Sequence, residues 1–264
     1  MSKKHKVKKP AVQHSESSKD LSPKVYQRDK IDFNLSIRER SDLTDKQWEL
    51  IDLILDKKTQ IVFLSGPAGT SKSFVSVMAG LMLLNSKSVS DILYIRSIAE
   101  SASKSLGSLP GEIGAKIEPF LMPLMDKLDE LLPKAEVNKL LNDERVTGTP
   151  VNYLRGASFN ARFIFCDECQ NLSVPEAVTV LTRLGKHSKL IMAGDPMQSD
   201  IHVKSGFNKL FDLFNDESSK KEGIHCFSFT REDIVRSGIL KYIIERLEGQ
   251  ESAKVKSEPM FESK

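Results

Sequence analysis

The chain has 264 residues, a length that predicts one or two domains at about 150 residues each. Hydrophobic residues at 39% and charged residues at 28% are ordinary for a soluble protein with a core, and the longest nearly apolar run, Val75 to Leu84, falls short of the ~20 residues of a membrane span. The net charge of +3 comes from one end: the first twenty residues hold six of the 39 basic groups against Glu16 and Asp20, which leaves 33 basic against 34 acidic groups elsewhere.

The basic character therefore belongs to a tail and does not mark the folded part as a cationic nucleic-acid binder. The N-terminal lysines are not followed by the apolar run of a secretory signal. Three cysteines do not make a disulfide framework and fit a reducing compartment. The composition argues against a secreted, membrane or fibrous protein, and a cytoplasmic one is expected.

Residues 1–42 read as a disordered basic tail, with Lys3, Lys4, Lys6, Lys8 and Lys9 ahead of a Ser/Gln/Lys stretch that has no apolar period. Those lysines are either a solvated leader or an electrostatic arm for nucleic acid. Thr44 is a candidate N-cap for a helix carrying Trp48, Leu50, Ile51, Ile54 and Leu55. Strand-like runs follow at Ile61–Leu64, Ile92–Ile95, Phe163–Cys166, Leu190–Ala193 and Ile224–Phe229. All but the last are continuously apolar, as strands covered on both faces should be. They alternate with helical patterns at Lys72–Leu84, Ile117–Leu132, Pro175–Leu184, Phe207–Phe214 and Glu232–Leu247. The alternation predicts an α/β fold with a mostly parallel, doubly wound sheet. Residues 97–160 form a long connection after the second strand. Its five prolines predict a helical insertion of several short helices and turns rather than one crossover helix. The folded domain is expected to span 43–248, with a loose C-terminal tail at 249–264.

The sharpest chemistry lies at Gly66-Pro67-Ala68-Gly69-Thr70-Ser71-Lys72-Ser73, directly after the first strand and opening a helix. This is the phosphate-binding loop pattern, with Ser71 where the second glycine belongs. In this layout backbone N–H groups and the helix dipole converge on an anion. Lys72 reaches the β- and γ-phosphates and the Ser73 hydroxyl ligates Mg²⁺. If Ser71 has a negative φ its side chain costs little, whereas a positive φ costs about 1 kcal/mol.

A hydrophobic strand ending in Asp167-Glu168 places a second Mg²⁺-holding group, Asp167, and a residue to polarise the attacking water, Glu168. The next strand ends Gly194-Asp195-Pro196-Met197-Gln198, and Gln198 is suited to sensing a γ-phosphate or its water. Cys166 and Cys169 could be half a zinc site completed by His225 and Cys226, or small buried residues; the second reading is preferred.

At these residues the chain resembles the PhoH-like family of P-loop ATPases, relatives of the superfamily 1 helicase core. The resemblance covers roughly residues 43–247. Beyond the loop it rests on Gly107–Glu112 with Lys116 and Pro119, Tyr153–Gly156, Asp167–Asn171, Leu181–Gly185, Gly194–Gln198 and Asp233–Arg236. It implies a RecA-like fold, bound ATP with Mg²⁺, and Gln47 at the place where helicase relatives read adenine. Cys169 stands for the usual alanine and Ser237 for the usual histidine.

Only one phosphate loop occurs, and an arginine finger is worth about 10³–10⁵ in rate. A homo-oligomeric ring is therefore expected, with Arg183 or Arg236 offered to a neighbour's ATP. Hydrolysis coupled to RNA or single-stranded nucleic acid is the first functional expectation. A nucleotide-gated binding module with little turnover is the alternative.

Overall fold

The computed structural model describes residues 34–96, 113–154, 158–201 and 204–235, and positions 239, 242 and 246. The lysine-rich start, the Gly107–Glu112 and Arg155-Gly156 segments, Arg236, most of the helix expected to end at Leu247, and the 249–264 tail lie outside these.

Six strands form one sheet: β1 (Ile61–Ser65), β2 (Asp91–Arg96), β3 (Val146–Pro150), β4 (Arg162–Asp167), β5 (Lys189–Gly194) and β6 (Ile224–Ser228). Their order is β3-β2-β4-β5-β1-β6 and every pairing is parallel. Alternating side chains divide each apolar strand between two cores. Val62, Leu64, Ile92, Tyr94, Phe163 and Phe165 face one side, and Ile61, Phe63, Leu93, Ile95, Ile164 and Cys166 the other. This is the doubly covered parallel sheet that the unbroken apolar runs predicted.

The first core is closed by α1 (Asp45–Leu55), α2 (Lys72–Asn85), α3 (Ile113–Leu131) and α4 (Lys134–Asn142). The second lies under α5 (Val174–Leu181) and α6 (Gly206–Phe214), and a short α7 (Glu217–Lys221) precedes β6. Capping boxes open α1 (Thr44 with Gln47) and α5 (Ser173 with Glu176), each satisfying two otherwise orphaned N–H groups. Gly80, in the middle of α2, lets the helix meet the sheet: a Cβ there would sit 2.6 Å from the Phe163 ring. Among the described residues no helix is long and apolar enough to cross a membrane.

Two expectations need correction. The connection after β2 holds a 19-residue helix, α3, that runs through Pro119 and Pro123, and also the edge strand β3. The prolines are four apart, so the backbone bonds they delete fall on one side of the helix. The stripe Leu124, Leu128 and Leu131, all buried, holds the remainder on the core. Secondly, packing begins before residue 43. Leu35 is buried, its N–H donates to Asn85 Oδ1, and the Arg38 N–H donates to the Leu131 carbonyl, so residues 34–42 lie along α2 and α3.

Candidate active site

Strand order decides what meets at the C-terminal edge of the sheet. β5 lies between β1 and β4, so the phosphate loop, the Asp195 turn and the Asp167-Glu168 turn emerge side by side. They border a cleft of about 530 Å³ that Ala68, Gly69, Lys72, Asp167, Glu168 and Gln198 help to line.

The loop is internally braced. Thr70 Oγ1 donates to the Pro67 carbonyl at 2.9 Å, and Val235 N–H closes on the Gly69 carbonyl at 3.2 Å. Gly69 has φ 86 and Ser71 φ 64, so the loop turns left-handed twice. Serine therefore occupies the costly alternative, and its hydroxyl makes no cap bond to α2. The first-turn N–H groups of that helix are left without a side-chain cap, which is the arrangement that binds anions. Ser71→Gly is expected to raise stability by about 0.5–1 kcal/mol, a Tm increase of roughly 1–4 °C at this size. A fall in Tm in a thermal melt would show that the hydroxyl stabilises the loop.

Lys72 folds back on its own loop, donating to the carbonyls of Gly66 at 2.6 Å and Pro67 at 3.0 Å. Burial lowers its pKa, opposed by Asp195, Asp167 and Glu168. One ammonium thus faces three carboxylates. The Ser73 hydroxyl donates to Asp167, at 3.0 and 3.2 Å from its two oxygens, and Tyr94 Oη donates to Asp167 Oδ2 at 3.3 Å. Burial first, then Glu168, pushes the Asp167 carboxyl above the usual range. Asp195 is raised by burial and drawn down by Lys72, and its carboxylate also accepts from the Met197 backbone N–H at 3.1 Å. A hydroxyl and carboxylates gathered with excess negative charge are hard oxygen donors, which fit Mg²⁺.

Glu168 is itself left-handed, at φ 56 and ψ 37, a conformation that places it on the turn between β4 and the 3₁₀ turn Cys169–Asn171. Gln170 Nε2 donates to Glu168 Oε2 at 2.7 Å, and Arg96 approaches Glu168 Oε1 at 3.8 Å. The Gln170 Oε1 accepts the Asp195 N–H at 3.1 Å, so this one buried amide ties the two acidic turns together. Gln170→Leu is expected to lower turnover tenfold to a hundredfold by releasing Glu168, with nucleotide affinity within about threefold of wild type. Equal losses in turnover and affinity would assign Gln170 to binding.

The other expected residues are placed as follows. Gln198 is exposed and lines the cleft. Gln47 is buried and already engaged: its Oε1 accepts the Thr44 N–H at 3.0 Å and its Nε2 donates to the Thr70 carbonyl at 3.2 Å. Arg183 follows α5 where its carbonyl accepts the Phe159 N–H, three residues before β4. It therefore lies at the opposite edge of the sheet, about 17 Å along a six-residue strand from Asp167. The zinc alternative loses its ligands to topology, because β4 and β6 are three strand spacings apart, about 14 Å. Cys169 Sγ instead donates to the Cys166 carbonyl, and Cys226 Sγ to that of Phe211.

Tyr94, Arg96 and Gln170 were not among the expected site residues. Arg96 had a usable signal, since a polar residue ending an apolar strand faces the crevice. Tyr94 had none, because its ring is core and only its hydroxyl reaches Asp167.

A model of the family described as PhoH-like protein matches residues 40–248. The chain belongs to the PhoH-like family. This is a family of P-loop ATPases, in agreement with the loop and the two acidic turns. The chain is 34% identical over 199 residues to the PhoH-like protein of Synechocystis sp., covering 74% of this chain and 59% of that one. It is 32% identical over 196 residues to the PhoH-like protein of Bacillus subtilis, covering 74% and 60%. Over 184 residues it is 32% identical to Protein PhoH of Escherichia coli, covering 68% and 51%. It thus spans about half to three-fifths of the length of these PhoH-like relatives.

Proposed function

We propose that the protein hydrolyses ATP with Mg²⁺ and couples hydrolysis to RNA or single-stranded nucleic acid, as a homo-oligomer. The observation that carries the hydrolytic reading is the convergence of Lys72, the Ser73–Asp167 pair and Glu168 on one cleft.

In this reading the loop N–H groups and Lys72 hold the triphosphate, Lys72 leaving its own loop carbonyls to do so. Ser73 and Asp167 would hold Mg²⁺, which when bound neutralises phosphate charge. Glu168, aimed by Gln170, takes a proton from a water positioned by Gln198. The water oxygen bonds to the γ-phosphorus as the bond to the β–γ bridging oxygen breaks, and the departing oxygen leaves on ADP.

Support for assembly comes from what lines the cleft. Among its described lining residues Arg40 is the sole arginine, and Asp42 and Glu130 both bind it. Arg96, the other described arginine near the site, approaches Glu168, and in this reading the arginine for the γ-phosphate comes from a neighbouring subunit. Arg183, at the far edge of the sheet, and Arg236 remain the candidates. Coupling to nucleic acid is supported by the resemblance to the helicase core and by the lysines between Lys3 and Lys9. The strained Ser71 favours a second reading, a nucleotide-gated binding module with slow turnover.

The test is phosphate release from Mg–ATP with and without single-stranded RNA and DNA, beside light scattering with and without nucleotide. Turnover accelerated by one nucleic acid, in an oligomer, is the expected result. Tight ATP binding without turnover under any condition would establish the second reading.

A further inference from the structure

One wall of the cleft is suited to something flat and uncharged. Arg40 is gripped in plane by Asp42, with Nε to Oδ1 and Nη2 to Oδ2 both 2.7 Å, and by Glu130, with Nη1 to Oε1 2.7 Å. The Phe74 ring covers one face of the guanidinium, its centroid 4.5 Å from the Arg40 Cζ. The side chain is still 24% exposed and lines the cleft.

Charge separates this wall from the phosphate end. Here Arg40 and Lys127 balance Asp42 and Glu130, with Lys127 3.8 Å from Glu130. At the loop, three carboxylates face one lysine. The amide of Gln47 is 1% exposed, with one hydrogen bond at each end spent within the chain. Gln47 borders the cleft, but its burial, with one of two donors and one of two acceptor positions already engaged, restricts any edge-reading role.

We infer that the open face of Arg40 is the stacking platform for the base of a bound nucleotide, and that the base is held by its face rather than read by its edge. This rests on the nucleotide-binding reading above. The ligand class is the purine nucleoside triphosphates, with little distinction between adenine and guanine. A planar guanidinium fixed by two carboxylates loses little freedom on stacking, and a purine offers it more area than a pyrimidine.

The test is calorimetric titration of the full chain, with Mg²⁺, by ATP, GTP, CTP and inorganic tripolyphosphate, which has no base. Wild type is expected to bind ATP and GTP within about threefold of each other and CTP about tenfold more weakly. Arg40→Lys keeps the cation for Asp42 and Glu130 but removes the plane. It should weaken ATP and GTP about tenfold and leave tripolyphosphate unchanged, which also reports an intact fold. Arg40→Tyr, which restores a flat surface, should recover most of the loss. Wild-type affinity for ATP in Arg40→Lys overturns the inference, as does an equal loss for tripolyphosphate. So does a wild-type preference for ATP over GTP above about thirtyfold, which would return edge reading. A wild type that binds none of the four refutes the nucleotide site itself.

Discussion

Glu168→Gln is expected to lower ATP turnover by about 10²–10⁴ while leaving ATP affinity unchanged or higher. The substitution keeps the length and planarity of the side chain, so the left-handed turn and the approach of Gln170 can persist. What it removes is the ability to accept a proton from water. Lys72→Ala should give the contrasting pattern, with affinity and turnover lost together. The Lys72 ammonium faces Asp195, Asp167 and Glu168, and without it an arriving triphosphate meets those carboxylates with Arg96 beside Glu168 as the remaining described cation. Phosphate release and calorimetric binding on the same two variants separate these effects. Turnover in Glu168→Gln within about threefold of wild type would remove Glu168 from the chemistry.

Asp167→Asn is expected to invert the order of stability with and without nucleotide. Burial and Glu168 raise the Asp167 carboxyl in the folded protein. A carboxyl raised above its unfolded value contributes stability below the unfolded pKa, and that contribution is lost as pH rises through the folded pKa. Once ionised, the side chain therefore destabilises the nucleotide-free fold. Replacing it with a neutral amide should raise Tm at pH 7–8 by roughly 2–4 °C, about 1 kcal/mol at this size. The difference should shrink toward pH 4, where carboxyl groups protonate. With Mg–ATP at a hundred times its dissociation constant, wild type gains about 2.7 kcal/mol and the variant should gain little. Thermal melts across pH, with and without Mg–ATP, test both halves. A variant less stable than wild type in nucleotide-free buffer would show that the Ser73 and Tyr94 hydrogen bonds outweigh the burial of charge.

How much was legible in the sequence depended on range. The loop, the Asp167-Glu168 strand end and the Asp195 turn are local patterns, each a short apolar run followed by a fixed polar spacing, and they were readable where they stand. The four buried strands were readable for the same reason. β3 was not, because Val146-Thr-Gly-Thr-Pro150 is an edge strand with one covered flank and little apolar content. The helical pattern at Ile117–Leu132 was readable, but its unbroken run through Pro119 and Pro123 was not, because that continuity rests on burying Leu124, Leu128 and Leu131, a tertiary effect that overrides a local rule. The role expected for Gln47 came from resemblance alone; the structure places it at the cleft, with its amide also bonded to a capping box and to the loop.

The opening imbalance of charge is local too. A cluster of lysines at one end was visible by counting, and so was the near neutrality of the rest. By itself the sequence determined the chemical types at the site, because a phosphate loop and a strand-terminal acid pair are set by neighbours within a few residues. Only the tertiary structure decided which of them meet. Placing β5 between β1 and β4 brings Lys72, Asp167 and Asp195 together, and the packing of residues 34–42 on α2 and α3 sets Arg40 over Phe74. Those contacts join residues from about thirty to more than a hundred and twenty positions apart, and no local spacing rule reaches that far.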